Sequence, residues 1–138
     1  MAMQPRRVLV AEDEASLRDF VSRNLRARGF AVVEATNGLE ALALWESEAP
    51  QLLVLDVMMP RMDGIEVVRT LKADKATAGI PVILLSAKAQ STDINGGLDA
   101  GADDYVTKPF DPLELLDKVA ALIGTPEGDD EPTAEAAR

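Results

Sequence analysis

The chain has 138 residues, of which 47% are hydrophobic and 28% are charged, and its formal net charge at pH 7 is −10. This length corresponds to about one domain with a sizeable core, and the acidic charge argues against nucleic-acid binding through a basic surface. Because the sequence contains neither Cys nor His, disulfides, Cys-based zinc sites, a histidine general base and a phosphohistidine on this chain are excluded.

Five apolar segments alternate along the chain with stretches of helical periodicity. The segments predicted as strands cover residues 7–11, 31–35, 52–56, 80–85 and 105–107. The third is an unbroken apolar run ending in Asp56, which is typical of a strand buried on both faces of a parallel sheet. The second alternates in part, so we expect it at an edge of the sheet.

The predicted helices begin near residues 15, 39, 64, 91 and 112. Gly29 is expected to end the first helix and Pro50 the second. In the fourth, Ser91 to Ala100, the Gly96-Gly97 pair costs about 2 kcal/mol relative to two alanines. The other four have apolar stripes, which are Leu17, Phe20, Val21 and Leu25; Leu39, Leu42 and Trp45; Ile65, Val68 and Leu71; and Leu115, Leu116, Val119 and Leu122.

This alternation predicts an α/β fold, a doubly wound five-stranded parallel sheet with five helices. We expect one domain over residues 6–123, followed by an acidic, disordered tail or linker over residues 124–138. No apolar run approaches the roughly 18 residues of a membrane span, and the first residues lack the apolar core of a signal peptide. The expectation is therefore a cytoplasmic protein that does not contact membranes.

Right-handed crossovers bring the carboxyl ends of all strands to one edge of the sheet. That edge collects Glu12 and Asp13, Asp56, Ser86 and Lys108. Each residue alone has an ordinary explanation, since acids are favoured at helix N-termini and hydroxyls often bond to nearby backbone. Together, crowded carboxylates need a cation, and a hard ion such as Mg²⁺ prefers oxygen ligands. The set predicts phosphoryl transfer with a carboxylate nucleophile.

Four segments carry a resemblance to a known family. VLVAEDE (residues 8–14), LDVMMPRMDG (55–64), LSA (85–87) and GADDYVTKPF (101–110) are similar, in order and spacing, to the receiver domain of bacterial two-component response regulators. The resemblance covers about residues 6–123. It implies the flavodoxin-like strand order 2-1-3-4-5.

The resemblance also implies a role for each residue at the carboxyl edge. Asp56 would accept a phosphoryl group from the phosphohistidine of a sensor histidine kinase or a histidine phosphotransfer protein. Lys108 would pair with that group, and Pro109 would follow a cis peptide bond. Ser86 and Tyr105 would move as a switch, the alternative for Tyr105 being a single packed rotamer. The Mg²⁺ ligands would be the carboxylates of Asp13 and Asp56, the backbone carbonyl of Met58 and, through a water molecule, Glu12.

Two positions near the proposed nucleophile predict a long-lived phosphoform. In this family, the positions of Met58 and Lys88 influence hydrolysis of the aspartyl phosphate. Neither a thioether nor an ammonium group is a good acceptor for positioning a water molecule. Glu12 stands where the family more often has Asp, and its longer side chain should still reach the water shell of the metal.

A downstream effector or output domain is expected to bind the face formed by the fourth helix, the last strand and the last helix. Glu114 and Lys118 could supply part of the salt-bridge network by which receivers fused to winged-helix domains dimerise. The fourth helix has Ile94 and Asn95 where a basic residue would be expected, so the prediction is a monomer or weak dimer. The arginines of the first helix contact an acidic kinase surface or are simply solvated.

Two other functions stay open at this stage. A haloacid-dehalogenase-like phosphatase also uses a strand-end Asp with Mg²⁺, but it needs a second acid where this chain has Met58. A pseudo-receiver would be an interaction module without phosphorylation, which the presence of Asp13, Asp56, Ser86 and Lys108 argues against. The favoured prediction is a signalling switch, not an enzyme, that catalyses only its own phosphorylation and dephosphorylation.

Overall fold

A computed structural model describes residues 6–87 and 91–125, without the side chains of residues 91–94. Five strands alternate with five helices. The elements are β1 (Arg7–Ala11), α1 (Ala15–Ala27), β2 (Ala31–Ala35), α2 (Gly38–Glu48), β3 (Leu52–Asp56), α3 (Gly64–Ala73), β4 (Val82–Ala87), α4 (Ser91–Ala100), β5 (Asp104–Lys108) and α5 (Pro112–Ile123). Lys88 and residues 126–138, on which two sequence predictions depend, lie outside the described residues.

The strands form one parallel sheet in the order β2-β1-β3-β4-β5. This confirms the predicted fold class and strand order. All five residues of β3 are buried, as expected for a strand covered on both faces. The partly exposed β2 lies at an edge, where its pattern predicted it.

Side chains of alternate strand residues pack into two hydrophobic cores, one on each face of the sheet. The α2/α3 core contains Leu9, Leu53, Leu55 and Leu84 with residues of α2 and α3. The α1/α5 core contains the neighbouring strand residues with apolar residues of α1 and α5, and its members are Val8, Val10, Val21, Leu25, Phe30, Leu52, Val54, Ile83, Leu85, Val106, Leu115, Leu116 and Val119. Both cores are needed to cover a sheet that is apolar on both sides.

The bounds of two strands, β4 and β5, differ from the sequence prediction. β4 begins at Val82 instead of Ile80, because Pro81 has no N–H to donate to a neighbouring strand, although its carbonyl still accepts from the Leu53 amide at 3.1 Å. β4 continues through Ser86 and Ala87 because these residues pair with Thr107 and Lys108 of β5. β5 is correspondingly longer than predicted.

Three residues assigned to apolar stripes are exposed. Phe20 is 41% exposed and stacks at a tilt on Phe110, with 6.4 Å between ring centroids. Leu39 is 48% exposed, whereas Gly38 and Ala41 are the buried residues of α2. Leu122 is 37% exposed near the end of α5. Across the described ranges, no helix has the length and apolarity to cross a bilayer.

Candidate functional site

The carboxyl edge of the sheet brings the predicted site residues together. Asp56 is the last residue of β3, Lys108 is the last residue of β5, and Glu12 follows β1 with its amide bonded to the Ala35 carbonyl at 3.0 Å. Glu12 and Asp56 are 1% and 3% exposed, whereas Asp13 is open to solvent. Two carboxylates are therefore withdrawn from water, and a third is placed at the mouth of the site.

Lys108 neutralises part of this negative charge. Its Nζ lies 2.9 Å from Asp56 Oδ1 and 3.5 Å from Glu12 Oε1. The Lys108 side chain is itself three-quarters buried, and a partly desolvated ion pair interacts more strongly than one in water. The ammonium group therefore contacts the Asp56 carboxylate directly.

The acidic cluster has the donors that a hard cation needs. Glu12, Asp13 and Asp56 each offer a carboxylate oxygen, and these oxygens lie within 4.8 Å of one another. Glu12 Oε2 accepts from the Glu14 amide at 3.0 Å, whereas the buried Glu12 Oε1 makes no hydrogen bond and lies 3.5 Å from the Lys108 ammonium nitrogen. A buried carboxylate oxygen without a hydrogen bond is costly, and a bound cation would satisfy it. The residues present therefore fit a metal ion with oxygen ligands.

The titration behaviour of the cluster reflects its crowding. Burial raises the pKa of Glu12 to about 7. The hydrogen bond from the Glu14 amide lowers this pKa, and the negative charge of Asp56 raises it by a smaller amount. Burial also raises the pKa of Asp56, while the hydrogen bond from Lys108 acts in the other direction. For Lys108, burial lowers the pKa, but the hydrogen bond and charge of Asp56 outweigh it and leave the pKa raised. Without a metal, Glu12 therefore takes up a proton near neutral pH.

The connection from β3 to α3 is held rigidly behind Asp56. The Val57 amide bonds to the Leu85 carbonyl and the Gly64 amide bonds to the Val57 carbonyl, both at 2.9 Å. A Cβ on Gly64 would overlap with the Asp56 carbonyl oxygen, so a residue without a side chain is required. Asp63 caps α3 by accepting from the Glu66 amide at 2.9 Å.

Met58 lies in this connection, two residues past Asp56. Its side chain is 65% exposed, so it fills no place in the cores. In the position where a phosphatase of the haloacid-dehalogenase type would need a second acid, the chain presents an apolar thioether. Its backbone carbonyl as a metal ligand stays a prediction from the resemblance.

Arg18 supports the acidic cluster, and sequence reasoning missed this role. Its Nη1 donates to the Glu12 carbonyl oxygen at 2.8 Å, and its Nε lies 3.7 Å from Glu34 Oε1 on β2. The side chain is 18% exposed. A guanidinium group of α1 thereby links Glu12, which follows β1, to the edge strand β2. The sequence contained a hint, since Arg18 is on the same side of α1 as Leu17 and Val21, but nothing singled it out from the other arginines.

The remaining predicted residues occupy different surroundings. Ser86 is 1% exposed on β4, one residue beyond the partner of Asp56 in the β3–β4 register. Tyr105 is half-buried against the α2/α3 core. The peptide bond between Lys108 and Pro109 is cis, as the resemblance implies.

A groove of about 600 Å³ opens beside the site, between α1 and the connection from β5 to α5. Leu17, Phe20 and Phe110 give it an apolar wall, and Lys108 also lines it. Its polar residues include Glu14 and Ser16. The exposure of Phe20 therefore contributes to a concave surface next to Asp56.

The face formed by α4, β5 and α5 carries a salt bridge within the chain. Lys118 Nζ lies 3.1 Å from both carboxylate oxygens of Asp104. Leu98 and Leu113 are exposed on the helices of this face, at 41% and 55%. The Ile94 side chain, which belongs to the dimer prediction, lies outside the described side chains.

Comparison with known proteins gives consistent matches. The family model for the response regulator receiver domain matches residues 8–120. The chain is 44% identical over 117 residues to the DNA-binding dual master transcriptional regulator RpaA of Synechocystis sp., a match that covers 85% of this chain and 48% of RpaA. The chain thus spans about half the length of the curated relatives it matches.

Two solved structures are similar over almost their whole length. A putative response regulator from Chloroflexus aurantiacus has a TM-score of 0.83 and 30% identity, with 86% of this chain and 98% of that chain covered. The receiver domain of the sensor histidine kinase PA1611 from Pseudomonas aeruginosa has a TM-score of 0.81 and 28% identity, with 88% and 99% covered. That structure is described as having a magnesium ion coordinated in the active site cleft.

Proposed function

Because this chain belongs to the response regulator receiver domain family, we propose that Asp56 is a phosphoacceptor whose modification switches a binding surface. In this reaction an Asp56 carboxylate oxygen attacks the phosphorus of a phosphohistidine. The phosphorus–nitrogen bond breaks, its electron pair returns to the imidazole, and an acyl phosphate forms on Asp56. No atom changes its oxidation state in this transfer.

The ion pair of 2.9 Å between Lys108 and Asp56 is the observation that carries this proposal. Charge moves onto the phosphoryl oxygens during transfer, and a fixed ammonium group stabilises such charge without reorganising. Lys108 also opposes the rise in the Asp56 pKa that burial causes, which favours the ionised carboxylate that has to attack. After transfer, the Lys108 ammonium group would pair with the phosphoryl oxygens instead of the carboxylate.

We propose Mg²⁺ as the resident metal, held by Glu12, Asp13 and Asp56. The cluster contains oxygen donors alone, which suits Mg²⁺ better than a metal that prefers nitrogen or sulfur. When bound, the ion would neutralise charge on the carboxylates and on the phosphoryl oxygens. The magnesium in the cleft of the PA1611 receiver supports the assignment by analogy. Met58 would add its backbone carbonyl, and Glu12 would act through a water molecule.

The phosphodonor is proposed to be a sensor histidine kinase or a histidine phosphotransfer protein. The apolar groove offers such a protein a concave surface that is lined in part by Lys108, the partner of Asp56. Ser86 and Tyr105 would then respond to the phosphoryl group, because new oxygen acceptors and charge favour one of two arrangements. The effector or output domain is proposed to bind the α4-β5-α5 face, where Leu98 and Leu113 are exposed.

Intact mass measurement tests the proposal directly. The protein is incubated with phosphoramidate in the presence and absence of Mg²⁺, and Asp56→Asn is the test variant. Asp63→Asn is the matched control, since its amide oxygen still caps α3 while the site is untouched. We expect one added phosphoryl group that requires Mg²⁺, is lost in the first variant and is kept in the second.

Two other results would contradict the proposal. No added phosphoryl group on the folded, Mg²⁺-bound protein would favour the pseudo-receiver. Sustained turnover of many phosphoesters would favour the phosphatase, despite the absence of an acid at Met58.

A further inference from the structure

Met58 differs from the other described methionines in its accessibility. Its side chain is 65% exposed, whereas Met59 is 9% exposed and Met62 is partly buried against the α2/α3 core. Oxidation of a thioether requires an oxidant to reach a sulfur lone pair, so an exposed methionine reacts before a buried one. Within the described part of the chain, Met58 is therefore the methionine placed to react first.

The same residue lies beside the proposed phosphorylation site. Successive Cα atoms are about 3.8 Å apart, so the Met58 Cα lies within roughly 7.6 Å of the Asp56 Cα. The hydrogen bonds of Val57 and Gly64 fix this part of the connection to β4 and α3. Methionine has an unbranched, flexible side chain, so the exposed Met58 sulfur can move in the solvent next to the connection that carries Asp56.

We propose that Met58 is an oxidation site that shortens the lifetime of the phosphoform, an inference that rests on the proposed function of Asp56. The oxidant is a peroxide such as hydrogen peroxide. A sulfur lone pair attacks one peroxide oxygen, the oxygen–oxygen bond breaks, and the departing hydroxide takes up the remaining proton. Sulfur loses two electrons to give methionine sulfoxide, and the peroxide is reduced to water.

Oxidation changes what this side chain offers to water. The thioether is a weak hydrogen-bond acceptor, so it does not hold a water molecule for attack on the acyl phosphate. A sulfoxide is polar, and its oxygen is a strong acceptor that can orient such a molecule. The phosphoform would hydrolyse faster after oxidation, and methionine sulfoxide reductases can reverse the change. Oxidising conditions would thus end the signal earlier.

The test combines peptide mapping with a decay measurement. The protein is treated with hydrogen peroxide, and peptide mass analysis locates the added oxygen, which distinguishes Met58 from Met1, Met3, Met59 and Met62. The treated and untreated proteins are then phosphorylated with phosphoramidate, and the loss of the phosphoryl group is followed by intact mass. Met58→Leu, which keeps the size and cannot be oxidised, is treated in parallel.

We expect Met58 to gain oxygen before Met59 and Met62, and the decay rate to rise roughly fivefold, the factor for one net hydrogen bond gained in the transition state. The decay rate of Met58→Leu should be the same with and without peroxide, and Met58→Gln should decay faster than Met58→Leu. Oxidation at Met59 or Met62 before Met58, or an unchanged decay rate once Met58 is oxidised, would overturn this inference alone. Failure of the untreated protein to become phosphorylated would overturn both this inference and the proposed function.

Discussion

At Asp56 the fold creates a carboxylate whose surroundings oppose its charge. The residue is almost completely buried, and Glu12 and Asp13 bring two further carboxylates close to it. Lys108 offsets one of these charges, which leaves an excess of acid that a divalent cation would balance. These carboxylates are therefore suited to binding a cation. Without a metal, the stability of the protein should depend on pH.

Glu12 should make the metal-free protein less stable as the pH rises. Its pKa is raised from 4.5 to about 7 in the folded state, so the folded protein holds this proton more tightly than the unfolded chain. The associated stability is fully present below pH 4.5 and is lost as the pH rises to about 7. The raised pKa of Asp56 acts in the same direction. Urea midpoints measured across this range without metal should therefore fall.

Glu12→Gln provides the control for this pH dependence. The amide is nearly the same size and does not titrate, so the fall in the urea midpoint should be clearly smaller. Saturating Mg²⁺ should raise the wild-type midpoint most at the upper end of the range. A wild-type midpoint that stays level or rises toward pH 7 would contradict the assigned role of Glu12 burial.

Among the elements, α1 contributes to the site through Arg18 as well as to the core. The hydrogen bond from Arg18 to the Glu12 carbonyl fixes the connection between β1 and α1, where two proposed metal ligands lie. Residues that orient metal ligands typically change metal affinity by 10–100-fold when they are removed. We therefore expect Arg18→Met to weaken Mg²⁺ binding by on the order of tenfold, as measured by isothermal titration calorimetry.

Arg23→Met is the matched control on the same helix. Arg23 pairs with Asp19 at 2.9 Å, and both side chains are more than half exposed. Such a pair contributes little to stability, and it lies away from the acidic cluster. The Mg²⁺ affinity of this variant should equal that of the wild type, and equal losses in both variants would show that Arg18 has no specific effect.

The elements also show where a pattern of apolar residues stops being informative. A helical stripe identifies a face, but it does not say which residues of that face lie over the sheet. Leu39 fits the stripe of α2, yet a Cβ on Gly38 would overlap with the Met62 carbonyl, so Gly38, and not Leu39, is the residue of this helix that lies against the connection from β3 to α3. Phe20 fits the stripe of α1, yet it lies at the margin and meets Phe110. Whether such a residue is buried depends on which second element packs against its helix.

For the whole molecule, the sheet order concentrates chemistry at one place. β1 and β3 are neighbours, and β4 and β5 follow on the same side, so residues from four separate segments meet at the carboxyl edge. The repeating pattern of strands and helices was sufficient to predict this meeting of Glu12, Asp56 and Lys108. It could not predict that Glu12 Oε1 is buried without a hydrogen bond or that Arg18 supports Glu12, because both follow from side-chain geometry.

We propose that residues 6–123 form the folding unit. Shortened chains that are compared with the full chain test this boundary. A chain that ends at Thr125 keeps α5 and the hydrogen bond of 3.4 Å from Arg6 to the Thr125 carbonyl. Its free energy of unfolding should match that of the full chain within about 0.5 kcal/mol. A chain that ends at Ala120 loses Ile123, which packs against the α1/α5 core, and it should be less stable by about 1–3 kcal/mol.

A large loss of stability in the chain that ends at Thr125 would contradict this boundary. Urea unfolding of the three chains at one pH and salt concentration gives the comparison. Equal stability of the chain that ends at Ala120 would instead show that the last turn of α5 is dispensable.

Locating the phosphoryl group on the chain tests the central claim most directly. After reaction with phosphoramidate and Mg²⁺, borohydride reduction converts an aspartyl phosphate to homoserine, which peptide sequencing by mass spectrometry assigns to one position. We predict homoserine at position 56 and nowhere else. Homoserine at position 13 or 63 with Asp56 intact, or none in a folded and Mg²⁺-bound protein, would contradict it.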